Sequence, residues 1–222
     1  YLESFKAEIL KLTSYRRFPL DDEFKRCLAN KDMYNIRSKA YWLRRLENYG
    51  RKERVIVEDY TIEHIMPQNK DLSVEWRTEL GNEWQKIQET YLHTIGNLTL
   101  TGYNSEMSDK PFNSKRDMEG GFSQSPLKLN QGLGQLVNWN EEQIKNRTKT
   151  LCEKMTAVWV CPALDDSVLA DYRAVEQPKS SYNLEDHPFI SKGASKELYQ
   201  KFRSQVLSLD ENIKEEFLKL YV

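Results

Sequence analysis

A glutamate–histidine pair stands where an apolar, β-branched segment meets a proline. The segment is "TIEHIMPQN", residues 61–69, and the pair is Glu63 and His64. A neutral histidine can act as a general base near pH 7, and a carboxylate is a ligand for Mg²⁺ or Mn²⁺. A base beside a metal ligand supplies two of the groups that phosphodiester hydrolysis requires. The plainer interpretation is a half-buried strand histidine before a turn.

Asparagines follow at a second extended segment. "IGNLTLTG" (95–102) predicts a short strand with Asn97 at its start. Asn104 lies in the loop after that strand, and Asn113 lies on a short helix predicted over 108–121. A strand, an insertion, a second strand and a helix can bring these side chains to Glu63 and His64. Asn104 is our first choice for a second metal ligand and Asn113 its rival, although all three asparagines are also ordinary turn residues.

Basic residues surround the predicted short helix. Lys110, Lys115 and Arg116 are expected to contact phosphate, and the alternative is a solvated helix face. His93 is also ambiguous. It either supports His64 from behind or caps the helix predicted over 73–90.

The composition excludes several classes of protein. The chain has 222 residues, of which 39% are hydrophobic and 30% charged, with a net charge of −1, so any nucleic-acid surface must be a local patch. No apolar run is long enough to span a membrane, and no signal-peptide pattern occurs. The three cysteines are far apart in sequence, which argues against disulfides and thiolate zinc sites and favours a reducing, cytoplasmic compartment.

Hydrophobic periodicity predicts a mainly helical protein with two short strands. Helices are expected over 1–50, 73–90 and 108–121 and from Asn140 onward, with strands over 55–65 and 95–102. We predict one domain over 1–160, a linker over 161–181, and a small C-terminal appendage over 182–222. The appendage is expected to be α or α/β and is interpreted as incomplete.

The motifs, in this order, resemble a known nuclease family. "EHIMP", "GNLTL", Asn104 and the Phe112–Lys115 pair are similar to the HNH (ββα-metal, His-Me finger) nucleases. The variant most similar is the C-terminal nuclease domain of GmrSD-type, modification-dependent (type IV) restriction endonucleases. The resemblance covers roughly residues 1–160. The later helix also matches, at Trp139, Ile144, Arg147 and Leu151.

The resemblance implies a role for each matching residue. His64 would be the general base, and Glu63 would be a metal ligand where the wider family usually has aspartate. Asn97 would complete the catalytic group by holding the loop that bears the histidine. Asn104 or Asn113 would be the second ligand of a Mg²⁺ or Mn²⁺ ion. The expected fold is the ββα-metal core.

The resemblance also implies a function and partners. The chain would be a DNA endonuclease module, the effector of a phage-defence restriction enzyme acting on modified phage DNA in a bacterial or archaeal cytoplasm. The chain begins at Tyr1 without Met, and we expect it to be a piece of a longer protein. The resemblance implies that the missing N-terminal region is a nucleotide-hydrolysing sensor domain. A homodimer is an open possibility for the assembly. The alternative function is a non-catalytic DNA- or protein-binding module on a nuclease-like fold.

Overall fold

α-Helices dominate the structure, a computed structural model that describes residues 1–174, 182–215 and 217. The strands are β1 (Thr61–His64) and β2 (Leu98–Thr101). The helices are α1 (Leu2–Lys11), α2 (Asp21–Asn30), α3 (Lys39–Asn48), α4 (Val74–Leu80), α5 (Trp84–Tyr91), α6 (Asn104–Met107), α7 (Phe112–Asp117), α8 (Glu141–Val158), α9 (Asp166–Ala174) and α10 (Gly193–Leu207). Within the described ranges, no helix combines the length and apolarity needed to cross a membrane.

The two strands form a small antiparallel sheet that pairs Glu63 with Thr99 and His64 with Leu98. Successive side chains of a strand point to opposite faces, and directly paired residues share a face. Glu63 therefore lies on the face of Thr99, and His64 lies on the face of Leu98. The two residues are neighbours in sequence, but the strand directs their side chains to opposite sides of the sheet.

Two separate hydrophobic clusters pack around the two-stranded sheet. The first cluster joins β2 to helices α2, α3 and α8, and its members include Leu28, Leu43, Leu98, Leu100 and Leu151. The second cluster joins the segment after β1 to α4, α5, α7 and α8, and its members include Ile65, Met66, Trp76, Phe112, Trp139 and Ile144. The sheet is therefore fixed from both sides, which positions the end of β1 despite its length of only four residues.

The first strand is shorter than the predicted 55–65 because α3 binds the backbone that precedes it. The side chain of Asn48 bonds both Val55 N and Val55 O, at 2.8 and 3.0 Å. Arg44 Nη2 donates to Glu58 O at 2.7 Å. These backbone groups are satisfied by side chains of α3, so β1 pairs with β2 only from Thr61 onward.

The helix predicted over 73–90 is instead two helices, α4 and α5. Gly81 ends α4 with a φ of +81°, and its amide donates to Arg77 O. Glycine adopts a positive φ without steric cost, so the chain turns here before α5 begins. The helix predicted over 108–121 is shorter, at Phe112–Asp117.

The described chain divides into two compact units, residues 12–163 and residues 1–11 with 164–222. In the second unit, α1 and α9 are joined by a hydrogen bond of 3.1 Å from Tyr172 Oη to Glu3 Oε1. Helix α9 lies inside the segment predicted as a linker over 161–181, of which residues 175–181 are outside the described residues. A separate C-terminal domain over 182–222 stays a prediction.

Candidate functional site

His64, at the end of β1, is packed among aromatic rings. Its exposure is 4%, and its Nε2 lies 3.0 Å from Nδ1 of His93. The ring of Tyr34 meets His64 edge-on with centroids 4.5 Å apart and stacks on His93 at 5.3 Å. No described residue hydrogen-bonds Nδ1 of His64. When His64 Nε2 donates to His93, this second nitrogen keeps its lone pair and can accept a proton.

The surroundings keep His64 uncharged. Burial is the main cause that lowers the pKa of His64 from 6.5 to about 3, and the positive charge of Lys115 adds to it. Lys39 adds to this effect, since its ammonium lies 3.9 Å above the ring of Tyr34. His64 is therefore neutral at pH 7 in the metal-free protein.

Asn97 fixes the loop that follows His64. Its Oδ1 accepts hydrogen bonds from Met66 N at 2.8 Å and from Trp139 Nε1 at 3.1 Å. Its Nδ2 donates to Met66 O and to Leu92 O, both at 3.0 Å. The side chain is fully buried, and three of its four hydrogen bonds hold backbone groups while the fourth holds the Trp139 indole. Asn97 is thus placed to position His64 indirectly, through residues 65 and 66.

Arg147 of α8 binds the short turn Ile95–Asn97 through hydrogen bonds to backbone carbonyls. Its Nη1 donates to Gly96 O at 2.7 Å and to Leu98 O at 2.8 Å. Gly96 itself lies against α8, because a Cβ built there would be 2.1 Å from Thr148 Oγ1. The turn that carries Asn97 is therefore fastened to the longest helix of the chain's described part.

Glu63 and Lys115 form a buried ion pair on the other face of the sheet. Lys115 Nζ lies 2.5 Å from Glu63 Oε1, and the side chains are 0% and 5% exposed. The same ammonium donates to His64 O at 2.9 Å and to Ile65 O at 3.2 Å. A lysine of α7 thus uses its three donors to tie that helix to the end of β1.

Burial outweighs attraction within this pair. Burial raises the pKa of Glu63 and lowers the pKa of Lys115, although each partner's charge acts in the opposite direction. Both pKa shifts mean that the loss of hydration destabilises the charged pair more than the attraction between the two charges stabilises it. A buried ion pair of this kind fixes the position of the strand end but adds little to the stability of the fold. Removing one partner leaves an uncompensated buried charge.

Oxygen donors that suit a hard cation lie along the same side of β1. Asn104 Nδ2 donates to Ile62 O at 2.7 Å, which leaves its Oδ1 without a partner among the described residues. The charge of Asp109 acts on both Glu63 and Lys115, so a second carboxylate lies near the first. Mg²⁺ takes oxygen ligands and keeps several waters, so one or two carboxylates and an amide suffice.

The structure describes no group of three His, Cys, Asp or Glu side chains arranged as metal ligands within its residues. Glu63, Asn104 and Asp109 carry oxygen atoms of the type that Mg²⁺ prefers, and Asp109 Oδ2 already accepts a hydrogen bond from Asn69 Nδ2 at 3.0 Å. Sequence reasoning did not select Asp109 as a candidate ligand. The available signal was an acid placed between the second strand and Lys115.

Asn113 and Arg116, two further residues that the sequence predicted for the site, make other contacts. Asn113 and Lys115 are two positions apart on α7 and so point to opposite sides of it, and Asn113 is exposed with Oδ1 bonded to Ser114 N. Arg116 bonds Leu136 O and Asp117.

The predicted phosphate contacts differ in their accessibility. Lys110 is exposed and can reach a ligand. The expectation that Lys115 touches phosphate does not agree with the structure, because its ammonium is fully buried and its donors are already used.

The geometry and the motif order point to one family. The family model of the C-terminal domain of GmrSD restriction endonucleases matches residues 18–154. The chain belongs to this family. No curated protein and no solved structure matches it.

As a GmrSD C-terminal domain, the chain falls among the nuclease modules of restriction enzymes, whose substrate is DNA. The matched residues contain both strands, the buried Glu63–Lys115 pair, the His64–His93 contact and most of α8. The site described above is therefore part of the family domain, and it lies within the unit of residues 12–163.

Proposed function

We propose that this chain is a metal-dependent DNA endonuclease module of the HNH type, the effector of a restriction enzyme. One observation carries the proposal. At the end of β1, a neutral His64 is bonded to His93 and keeps one ring nitrogen without a partner among the described residues. This histidine lies within the region matched to a restriction endonuclease family.

His64 takes a proton from the water that attacks the phosphodiester. His93 fixes the tautomer, because its Nδ1 at 3.0 Å accepts the proton of His64 Nε2. The proton-accepting nitrogen of His64 is then Nδ1. The ring of Tyr34 holds both imidazoles in place by an edge contact and a stack. A positioned general base of this kind contributes about 10²- to 10⁴-fold to the rate.

Asn97 and Arg147 act as positioning residues. Asn97 fixes the loop after His64 through Met66, and Arg147 fixes the turn that carries Asn97. Lys115 holds the Glu63 carboxylate and two carbonyls at the strand end. Catalysis depends on small displacements of reacting groups, so this rigid support contributes to the rate without contact with DNA.

Glu63 and Asn104 would hold the divalent ion, Mg²⁺ or Mn²⁺, with Asp109 as a third oxygen donor. When bound, such an ion stabilises negative charge on the phosphate and its leaving oxygen. Lys110 is placed to contact the phosphate backbone from the exposed side. Arg116 can contact phosphate only when its ion pair with Asp117 is broken.

The test is cleavage of plasmid DNA by the purified chain with Mg²⁺ or Mn²⁺. His64→Ala is expected to lose about 10²-fold or more of the activity, with unchanged circular dichroism. Asn104→Ala is expected to weaken metal binding in calorimetry. The matched control is Asn113→Ala, an asparagine of the same segment that points away. Full activity of His64→Ala would refute the proposal, and equal effects of the two asparagines would remove Asn104 from the site.

A non-catalytic DNA- or protein-binding module is the second candidate. The observation that favours it is the Glu63 carboxylate, which is already bound by Lys115. This candidate predicts that calorimetry detects no Mg²⁺ or Mn²⁺ binding and that DNA binds without cleavage.

The finer features rest on the family resemblance alone. We propose modified phage DNA as the substrate, antiviral defence as the purpose, and a nucleotide-hydrolysing sensor domain as the partner. A cytoplasmic location, a homodimer and a separate appendage over 182–222 stay predictions.

A further inference from the structure

An aromatic cavity lies on the α2–α3–α8 side of the family domain, apart from the His64 site. Its volume is about 160 Å³, and its walls are Phe18, Pro19, Asp21, Phe24, Trp42 and Trp159. The two tryptophan rings lie with centroids 4.6 Å apart at an angle of 49°. Drug-sized pockets have volumes of about 300–1,000 Å³, so this cavity suits a single planar ring system.

Two donors at this place are buried without a partner among the described residues. They are Nε1 of Trp42 and Nε of Arg44, and both belong to α3. Buried polar groups are nearly always hydrogen-bonded, so each exception requires an explanation. Trp42 lines the aromatic cavity, and its N–H requires an acceptor that the described chain does not supply.

A cationic cleft adjoins the cavity. It has a volume of about 560 Å³ and is lined by Arg44, Arg45 and Arg54, with Glu58 as its acid. Tyr41 belongs to this cleft, and its ring is 6.1 Å from Trp159 and 6.0 Å from Trp42. A single aromatic side chain thus separates a positively charged cleft from an aromatic cavity.

We propose that these two features together bind an unstacked nucleotide of the DNA substrate. The base stacks against Trp159 and Trp42, as bases do on aromatic side chains that bind unpaired nucleic acid. Trp42 Nε1 donates to a ring nitrogen or carbonyl of the base, and Asp21 accepts from an exocyclic amino group. The arginines of the cleft bind the flanking phosphates.

The chemistry favours a nucleotide over other planar ligands. An organic cation would suit the aromatic walls. However, it gives Trp42 no acceptor, and the three arginines repel it. A protein segment would leave the net positive charge of the cleft without a matching polyanion. Only a nucleotide supplies a ring, an acceptor and phosphates at once.

The location agrees with the proposed nuclease, on which this inference rests. Val57 lines the cleft and precedes His64 by seven residues, which span at most about 25 Å when extended. One DNA strand advances about 3.4 Å per nucleotide. The cleft is therefore within about seven nucleotides of the reaction site, so the same DNA molecule can occupy both.

The test measures binding of the full chain to short DNA duplexes in EDTA, by fluorescence anisotropy. The probes are a duplex with one unpaired cytosine, the same duplex fully paired, and one with an abasic residue in place of the cytosine. The chain is expected to prefer the unpaired cytosine and to lose tryptophan fluorescence on binding it. Trp159→Ala is expected to lower this preference by about 5- to 150-fold, with little change for the paired duplex.

Two further variants separate the contacts. Trp42→Phe keeps a ring but removes the N–H, and a loss of about fivefold in the preference is expected. Arg44→Gln is expected to weaken all three duplexes alike and to reduce the salt dependence. The matched control is Trp84→Phe, a half-buried tryptophan on α5 that contacts Arg77. It should leave every affinity unchanged.

The outcomes are decisive in either direction. Should Trp159→Ala fail to fold, the preference of the conservative Trp42→Phe variant for the unpaired cytosine still tests the proposal. Equal affinities for the three duplexes would overturn the proposal and would indicate a surface for a protein partner. An unchanged preference in both tryptophan variants would overturn it as well. Because binding is measured without metal, loss of cleavage in His64→Ala tests the nuclease separately.

Discussion

Replacing Lys115 with methionine tests the buried ion pair beneath the site. The ammonium is 0% exposed and donates to Glu63 Oε1, His64 O and Ile65 O. Its removal leaves a buried carboxylate without a cation and two carbonyls without a donor. Breaking a buried pair in this way costs about 3–5 kcal/mol of the free energy of unfolding. For a domain of this size, the melting temperature should fall by about 6–20 °C.

Urea unfolding in EDTA, followed by tryptophan fluorescence, measures this loss. Trp76 and Trp139 are suitable probes because both are buried in the cluster that includes Phe112 of α7. Lys110→Met is the matched control, since the same substitution at an exposed lysine should cost less than about 0.5 kcal/mol.

The double variant Lys115→Met with Glu63→Leu separates charge from packing. Burial opposes the charged forms of both partners, so an apolar pair should recover most of the loss. A cost below about 1 kcal/mol for Lys115→Met would refute the reasoning. So would a double variant as unstable as the sum of the single variants.

Three further outcomes follow from the same structure. Asn97→Ala should lower the free energy of unfolding by about 2–4 kcal/mol in urea titration, because it leaves four buried partners unpaired; a loss below about 1 kcal/mol would contradict the bonding described. Gly96→Ala should destabilise the fold, since its Cβ would meet Thr148 Oγ1 at 2.1 Å, whereas Gly102→Ala meets nothing within 4 Å and should be tolerated in the same thermal melt. His64 should make the metal-free protein less stable in acid. Its pKa is lowered to about 3 in the folded state, so below about pH 6.5 only the unfolded chain binds the proton, and stability falls by up to about 1.4 kcal/mol per pH unit. A His64→Asn variant with the same pH slope in urea unfolding between pH 7 and 4 would rule out His64 as the source.

The predictable part of the fold came from local patterns. The capping residue Asn140 accepts from Glu142 N and Gln143 N, and α8 begins directly after it, where the sequence predicted a helix. The mainly helical fold with two strands was predicted from residue patterns, the pairing of the strands was predicted from the family resemblance, and both are confirmed. The strand ends and the break at Gly81 were missed. These depend on a partner strand and on a backbone conformation, and neither is visible in hydrophobic spacing.

The candidate site divides in the same way. The order of Glu63, His64, Asn97 and Asn104 led to the family prediction, which the match over residues 18–154 confirms. The sequence did not show that Lys115 is turned inward onto Glu63. On the six-residue helix α7, residues two positions apart lie on opposite faces. The packing of Phe112 in the second hydrophobic cluster determines that the face of Lys115 is the buried one.

The sequence by itself determined the side chains available to this protein, namely a histidine beside a carboxylate, and its membership of a restriction endonuclease family. Only the tertiary structure decided which side chains meet. His64 pairs with His93 across 29 residues of sequence, and Glu63 pairs with Lys115 across 52. The physical reason is the alternation of the strand, which directs neighbouring side chains to opposite faces. Their partners are then chosen by whichever element packs on each face.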